Sequence, residues 1–446
     1  MAQARFSHDL ATLKTIAADA LAHAAAKGAS GCEAEVSDGY GQTVTIRKSE
    51  VETIEYNRDK SLGVAVYVGR RKGYASTADF TGRAVRDTVE AALTIARFTA
   101  EDEAAGLPDP EDLARNPGDL DLFHPWNPPV EEAIAMAKAC EAAAFRLDKR
   151  VVNSEGASVS AQQWQFALGN SHGFMEGFPT SRHTLSCAVI AAENGRMQRD
   201  DWHVSQRSAS DLARPEAVGD YAGRRALARL RSRKIGTLQA PVLFEAPVAN
   251  DLVSTFVSAA SGGSLYRKAS FLVDALGKTV FSPIVTLVER PHLPRGQASS
   301  WYDDEGVATR DRDVVRDGVL RGYFLGSYSA RKLGMKTTGS AGGNHNLVLQ
   351  GGDLDLPGLI RKMGRGLLVT ELIGFGVNLV TGDYSRGAAG FWVEGGEIRH
   401  PVEEITIAGN LRDMFRSIAA VGSDALTRGS RTTGSILIEE MTIAGN

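Results

Sequence analysis

Gly390-Phe391-Trp392-Val393-Glu394-Gly395-Gly396-Glu397-Ile398 reads as a strand, a two-glycine turn and a returning strand. Adjacent glycines between apolar runs suit a two-residue hairpin, where both turn positions need positive φ. The same signal stands upstream, with Asp317-Gly318 between Val314-Val315 and Val319-Leu320. Before these, Val242–Phe244 predicts a short strand and Val248–Ala260 a helix ending at Gly262-Gly263. Glu404–Asn410 (EITIAGN) recurs as Glu440–Asn446 (EMTIAGN). This echo is too short for a repeat architecture and fits two strands ending in the same turn chemistry.

The first half differs. Leu10, Leu13, Ile16, Ala20 and Ala24 have helical period, with Ser7 as the expected N-cap and Gly28 as the stop. Alternating runs follow at Val44/Ile46, Ile54/Tyr56 and Leu62–Val68, the pattern of strands with one buried face. Val85, Val89, Leu93 and Ala96 then mark a helix. Ala100–Pro129, rich in Asp, Glu, Pro and Gly, reads as a long surface connection. Beyond Pro128-Pro129 comes a helix through Ile134, Cys140 and Leu147, then strands at Trp164–Leu168 and Leu185–Ala191, and a helix opened by Pro215. The basic run Arg231–Thr237 marks a boundary. The expectation is an α+β protein, with an N-terminal helix/antiparallel-sheet domain over 1–235 and a β-rich hairpin domain over 238–446. The first has subregions near 31–98 and 125–232, linked by 100–129.

Composition narrows the function. The 446 residues exceed one ordinary core, and 43% are apolar and 23% charged. Fifty Lys and Arg against 54 Asp and Glu leave no basic footprint for nucleic acid and no polybasic membrane anchor. Apolar runs such as Leu62–Val68 are far shorter than a membrane helix, and Asp9, Lys14, Asp19 and His23 break up any signal-peptide core. Three cysteines without CxxC spacing suit a reducing cytoplasm, with Cys140 and Cys187 as small core residues.

Chemical motifs are few. Gly277-Lys278-Thr279 lacks the glycine of a phosphate loop, since Leu272 holds that position, and Gly374-Phe375-Gly376 lacks a third glycine at Leu379. Gly169-Asn170-Ser171-His172-Gly173 matches a nucleophile-elbow string, but the residues after it predict a hairpin tip. None of the nine histidines precedes a glutamate and no two lie four or five apart, so no helical zinc-peptidase pair exists. A scattered set drawn from His172, His183 and His203 is less expected than polar residues on adjacent strands. Asp303-Asp304-Glu305 reads as a solvated loop. Arg310, Arg312 and Arg316, among Asp311, Asp313 and Asp317, read as a self-neutralising surface.

Several stretches together resemble one family. They are Gly262-Gly263-Ser264-Leu265-Tyr266-Arg267-Lys268 with Ser270-Phe271-Leu272, Thr381–Ala388, Gly390–Ile398 running on to Pro401–Thr406, Asn170–Phe174 and Met197–Asp200. The chain is identified on these as a member of the TldD/PmbA family, PmbA (TldE) branch, from about Gly31 to Asn446. The resemblance implies a heteromeric zinc-dependent peptidase, associated with maturing peptide antibiotics and degrading unfolded polypeptides. Its TldD-type subunit carries a His-Glu-x-x-x-His helix and a C-terminal cysteine ligand, and its PmbA-type subunit lacks them. An older label for the family is modulator of DNA gyrase. The metal-helix positions fall near Thr255, Phe256 and Ala260 here, and Asp424–Ser435 has no cysteine.

The resulting expectation is a cytoplasmic, non-catalytic subunit without a cofactor of its own, with zinc in a TldD-type partner. It forms a heterodimer with that partner, a homodimer when alone, and acts on unfolded peptides without direct nucleic-acid or membrane binding. Two alternatives stay open. One is a homo-oligomeric peptide-binding or gyrase-modulator-like scaffold without hydrolysis. The other is a self-sufficient hydrolase built on Ser171 or scattered ligands.

Overall fold

The computed structural model describes residues 5–445. The chain divides into two compact units: residues up to Leu230 together with Glu305–Ala308, and the remainder from Arg231.

The first unit is one antiparallel sheet with helices packed on it. Its strands are β1 (Gly31–Arg47), β2 (Glu50–Val68), β3 (Arg71–Thr77), β4 (Val151–Asn170), β5 (Met175–Glu193) and β6 (Arg196–Gln206), in the order β3-β2-β1-β4-β5-β6. The three alternating runs expected between Val44 and Val68 are two long strands, and neither glycine nor proline interrupts Tyr56–Leu62. Helix α1 (Leu10–Ala26) is capped by Asp9, whose carboxylate accepts the Thr12 N–H at 2.8 Å, and not by Ser7. It packs with α2 (Gly82–Phe98) over Val36, Leu62 and Val64. Helices α3 (Val130–Leu147) and α4 (Pro215–Ala228) cover Val159, Leu185 and Val189. The α3–α4 approach requires Gly219, where a Cβ would lie 1.7 Å from the Cys140 carbonyl.

The β1–β2 turn has no glycine. Lys48 and Ser49 both take positive φ, at 51° and 65°. A local compensation comes from α3: buried Glu141 accepts the Lys48 and Ser49 N–H groups at 2.8 and 2.7 Å. The 100–129 connection has no helix or ladder strand, as read from its composition. It is less superficial than expected, because Leu107, Leu113, Leu120 and Leu122 are buried.

The second unit is built from two sheets. β7 (Leu238–Phe244), β12 (Arg365–Ile373), β13 (Asp383–Glu394), β14 (Glu397–Asn410), β15 (Ile418–Val421) and β18 (Ile436–Ala444) run in the order β14-β13-β12-β7-β18-β15. A further β14–β18 pairing closes five of them into a ring. The two echoed segments meet there, with Ile407 opposite Ile443, so they are neighbouring strands. Asn446 lies outside the described residues. The second sheet is β10-β9-β8-β11-β17-β16, from β8 (Leu287–Glu289), β9 (Arg312–Arg316), β10 (Val319–Leu320), β11 (Leu347–Leu349), β16 (Leu426–Arg428) and β17 (Arg431–Thr433). Both glycine-marked hairpins form, Glu394 pairing with Glu397 and Arg316 with Val319. Helices α5 (Ala246–Ala259), α6 (Gly262–Tyr266), α7 (Ser327–Leu333), α8 (Leu356–Met363) and α9 (Leu411–Arg416) lie among these strands. Mixed helix and strand, with the helix–sheet unit first and the β-rich unit second, is the α+β arrangement read from the sequence.

Candidate functional site

The site begins from α5, where the family resemblance implies the metal-helix counterpart. Pro247 in the first turn supplies a fixed φ suited to helix initiation. Ala249, Leu252, Val253, Phe256 and Ala259 then recur at helical spacing and are buried in the second unit's core. Asp251, Ser254, Thr255 and Ser258 form the other face and retain solvent exposure.

Phe256 is fully buried, its ring edge-on to Phe281 at 5.0 Å between centroids, with Phe415 and Phe324 at 6.3 and 6.5 Å. The Thr255 hydroxyl donates to the Asp251 carbonyl at 2.9 Å, the ordinary back-bond of a helical threonine. Ala260 is the buried C-cap, its N–H bonded to the Phe256 carbonyl. The three positions therefore offer one engaged hydroxyl and no imidazole or carboxylate.

Polar groups gather at the N-terminal half of the helix instead. The Arg386 guanidinium, brought by β13, donates to Asp251 Oδ2 at 2.9 Å. Arg386 is 10% exposed, and its Nε is buried without a hydrogen-bond partner. Tyr384, two residues earlier on the strand, buries its hydroxyl unpartnered, and burial pushes its pKa up. Arg431 on β17 donates to Asn250 Oδ1 at 3.0 Å and to Asn344 Oδ1 at 3.4 Å. Burial pulls its pKa down while Asp251 acts to raise it. Two guanidiniums thus converge on one carboxylate and two amides along α5. Such a band can orient a carboxylate or a peptide backbone.

A second polar cluster was not legible in the sequence. Arg312, expected on the surface, is mostly buried: its Nε donates to Glu289 at 2.6 Å and its Nη1 to the Tyr323 carbonyl at 2.7 Å. Burial would raise the Glu289 pKa, but His345 and Arg312 hold it below the ordinary carboxylate value. Asp303 is likewise buried and accepts the Ala341 N–H. Alternating charge along a chain cannot reveal which member finds a buried partner from a distant strand. These contacts brace loops of the second unit.

The remaining candidates are dispersed or structurally occupied. Ser171 lies at the β4–β5 hairpin tip, where its hydroxyl accepts the Cys32 N–H at 3.0 Å. His172 Nδ1 is 2.9 Å from the Pro108 carbonyl oxygen. His183 sits far along β5, about 26 Å from its start at ~3.3 Å per residue. Its Nε2 bonds the His124 carbonyl at 2.8 Å, and burial lowers its pKa. His172 and His183 cannot share an ion. Among the described residues no three His, Cys, Asp or Glu side chains group as metal ligands would. The family's glycine-rich motifs are structural here. Gly262 allows α6 to approach α7, since a Cβ would lie 2.1 Å from Ser329 Oγ. Asn410 caps α9 and bonds Thr381 and Asp383.

This two-unit α+β fold, with a long helix set between a closed strand ring and a second sheet, is that of a metallopeptidase family. The chain belongs to the PmbA/TldD family: the PmbA/TldA metallopeptidase domain 1, central domain and C-terminal domain match residues 32–96, 123–230 and 237–445. Metalloprotease PmbA of Escherichia coli O157:H7 is 50% identical over 93% of this chain and 92% of its own length. A metalloprotease TldD homolog of Haemophilus influenzae is 24% identical over 82% of this chain and 80% of its own. The crystal structure of a candidate modulator of DNA gyrase from Bacteroides thetaiotaomicron superposes with a TM-score of 0.92 at 28% identity, covering 97% of this chain and 99% of that one. No helix among the described residues is long and apolar enough to cross a membrane.

Proposed function

We propose that this chain is the PmbA/TldE-type, non-catalytic subunit of a heteromeric TldD/PmbA zinc metalloprotease acting on unfolded peptides and peptide-antibiotic precursors in the cytoplasm. The zinc belongs to a TldD-type partner. The chain forms a heterodimer with that partner and a homodimer when alone.

The observation that carries this reading is helix α5. Zinc needs imidazole, thiolate or carboxylate donors. Thr255, Phe256 and Ala260 supply none, and Phe256 fills the core where a solvent-open ligand would have to stand. The residues present do not fit the ion. The identity of 50% to a PmbA, against 24% to a TldD homolog, supports the same branch. The subunit's contribution is then to position substrate. An unfolded peptide can be held by main-chain hydrogen bonds at a strand edge such as β16, which ends its sheet beside α5. Arg386 and Arg431 lie along the same helix.

The test is one unfolded peptide assayed with the purified chain, with a TldD-type partner, and with both, alongside metal analysis of each protein. Cleavage only when the partner is present, with zinc in the partner alone, is expected. Stoichiometric zinc in this chain, with chelator-sensitive cleavage by it alone, would overturn the proposal in favour of a self-sufficient hydrolase.

A further inference from the structure

The outer half of β2 is exposed in an unusual way. Strand β3 pairs with β2 only over Leu62–Val68, and β1 takes its other edge along the whole length. Among the described residues, nothing pairs with the edge that β2 leaves open from Glu50 to Ser61. Nearly every residue there is exposed on both faces, including Val51 at 42%, Ile54 at 42% and Tyr56 at 65%. The run contains neither proline nor glycine. A long open edge with apolar side chains is a pairing template unless something covers it.

The sequence of the edge indicates the cover. A twofold axis perpendicular to a sheet keeps each side chain on its own face, so two copies pairing antiparallel must place the axis at a residue. A register shift at Glu52 ends the regular run, leaving Glu52–Lys60 available, and β3 begins only beyond it. Centring on Ile54 makes no ion pair in this run. Centring on Glu55 sets that glutamate against its own copy. Centring on Asn57 sets Glu55 against Asp59 twice, and on Arg58 it opposes two arginines. Centring on Tyr56 sets Glu52 against Lys60 twice, Glu55 against Asn57 twice and Tyr56 against Tyr56, with no like charges opposed. Opposed side chains of this kind are what stabilise a strand pair. The existing contacts of these groups are exposed and exchangeable: Arg47 with Glu52 at 3.4 Å, and Lys60 over the Phe80 ring at 5.1 Å.

We propose that two copies of this chain pair antiparallel through the open edge of β2, about a twofold axis at Tyr56. The proposal names the surface of the self-paired state inferred above and rests on that part of the reading. It places a continuous sheet across both copies.

Tyr56→Cys tests the register directly, because Cys32, Cys140 and Cys187 are buried and give no background. Under mild oxidation the full chain with Tyr56→Cys should form a covalent dimer at least tenfold faster than Lys60→Cys, whose copies would stand roughly 26 Å apart. In sedimentation, Glu52→Lys should weaken self-association on the order of tenfold, and Glu52→Lys with Lys60→Glu should restore it. A dimer whose two cysteine variants cross-link equally refutes this surface and leaves self-pairing standing. A monomer at all concentrations refutes the surface and the homodimer together, while the peptidase assay judges the subunit role separately. Amide protection of 53–60 that rises with an added unfolded peptide, and not with protein concentration, would assign the edge to peptide and overturn the proposal.

Discussion

Phe256→Ala is the substitution that separates a packed helix from a site-bearing one. Phe256 has no solvent exposure and touches an aromatic group of Phe281, Phe324 and Phe415. Truncating a buried phenylalanine costs about 3–5 kcal/mol, through lost transfer free energy and an incompletely collapsed cavity. Loss of the edge-on ring pairing contributes about 0.5–1.5 kcal/mol within that range. For a unit near this size each kcal/mol lowers the midpoint by roughly 2–4 °C, so the expected fall is about 6–20 °C. The two units need not unfold together, so the probe must report on the second. Trp301 and Trp392 lie there, while Trp126, Trp164 and Trp202 lie in the first. A chain retaining only Trp301 and Trp392 isolates the transition. Phe256→Leu should cost much less, while Ser258→Ala on the exposed face should be within about 0.5 kcal/mol of neutral. A midpoint shift under 2 °C for Phe256→Ala would refute the packed-helix reasoning, and with it the main support for a subunit without zinc.

Other expectations follow from the same structure. Glu141→Ala leaves the Lys48 and Ser49 N–H groups without their acceptor and should cost about 2–3 kcal/mol, with faster amide exchange at both residues. His183 has a pKa lowered by burial, so folding favours its neutral form. That contribution is present above the unfolded value of about 6.5 and is lost as pH falls through the folded value; His183→Gln should flatten stability against pH in this window. Burial pushes the Cys32 thiol up to about 12, and the Cys140 thiol is raised by its hydrogen bond with Cys187 and then by burial. All three thiols are buried, so a thiol reagent at pH 8 should modify none of them until the chain unfolds.

The sequence made the hairpins legible because their turns are encoded locally. Asp317 and Gly318 have φ of 50° and 76°, and Gly395 and Gly396 have 64° and 73°, as such turns require. It hid the Lys48-Ser49 turn, whose support comes from Glu141, more than ninety residues away. The helix at 246–259 was readable from its apolar spacing. The convergence of Asp251, Arg386 and Arg431 was not, since three separate elements supply it. Arg312 was misread for the same reason: its partner Glu289 is on another strand. Local patterns reveal elements and turns, whereas buried polar partnerships depend on topology that no short window contains.

Residues 305–308 group with the first unit although they arise in the middle of the second's sequence. Gly306 accepts the Ala114 N–H, Ala308 donates to the Asp112 carbonyl, and a Cβ at Gly306 would lie 2.9 Å from the Phe174 ring. On the ribosome, the first unit therefore cannot be finished when Leu230 emerges. It waits for some 75 further residues, several seconds at the usual pace of translation. Throughout that interval the 100–129 connection lacks one of its bonded neighbours. A gene truncated after the first unit would yield a chain permanently held at that stage.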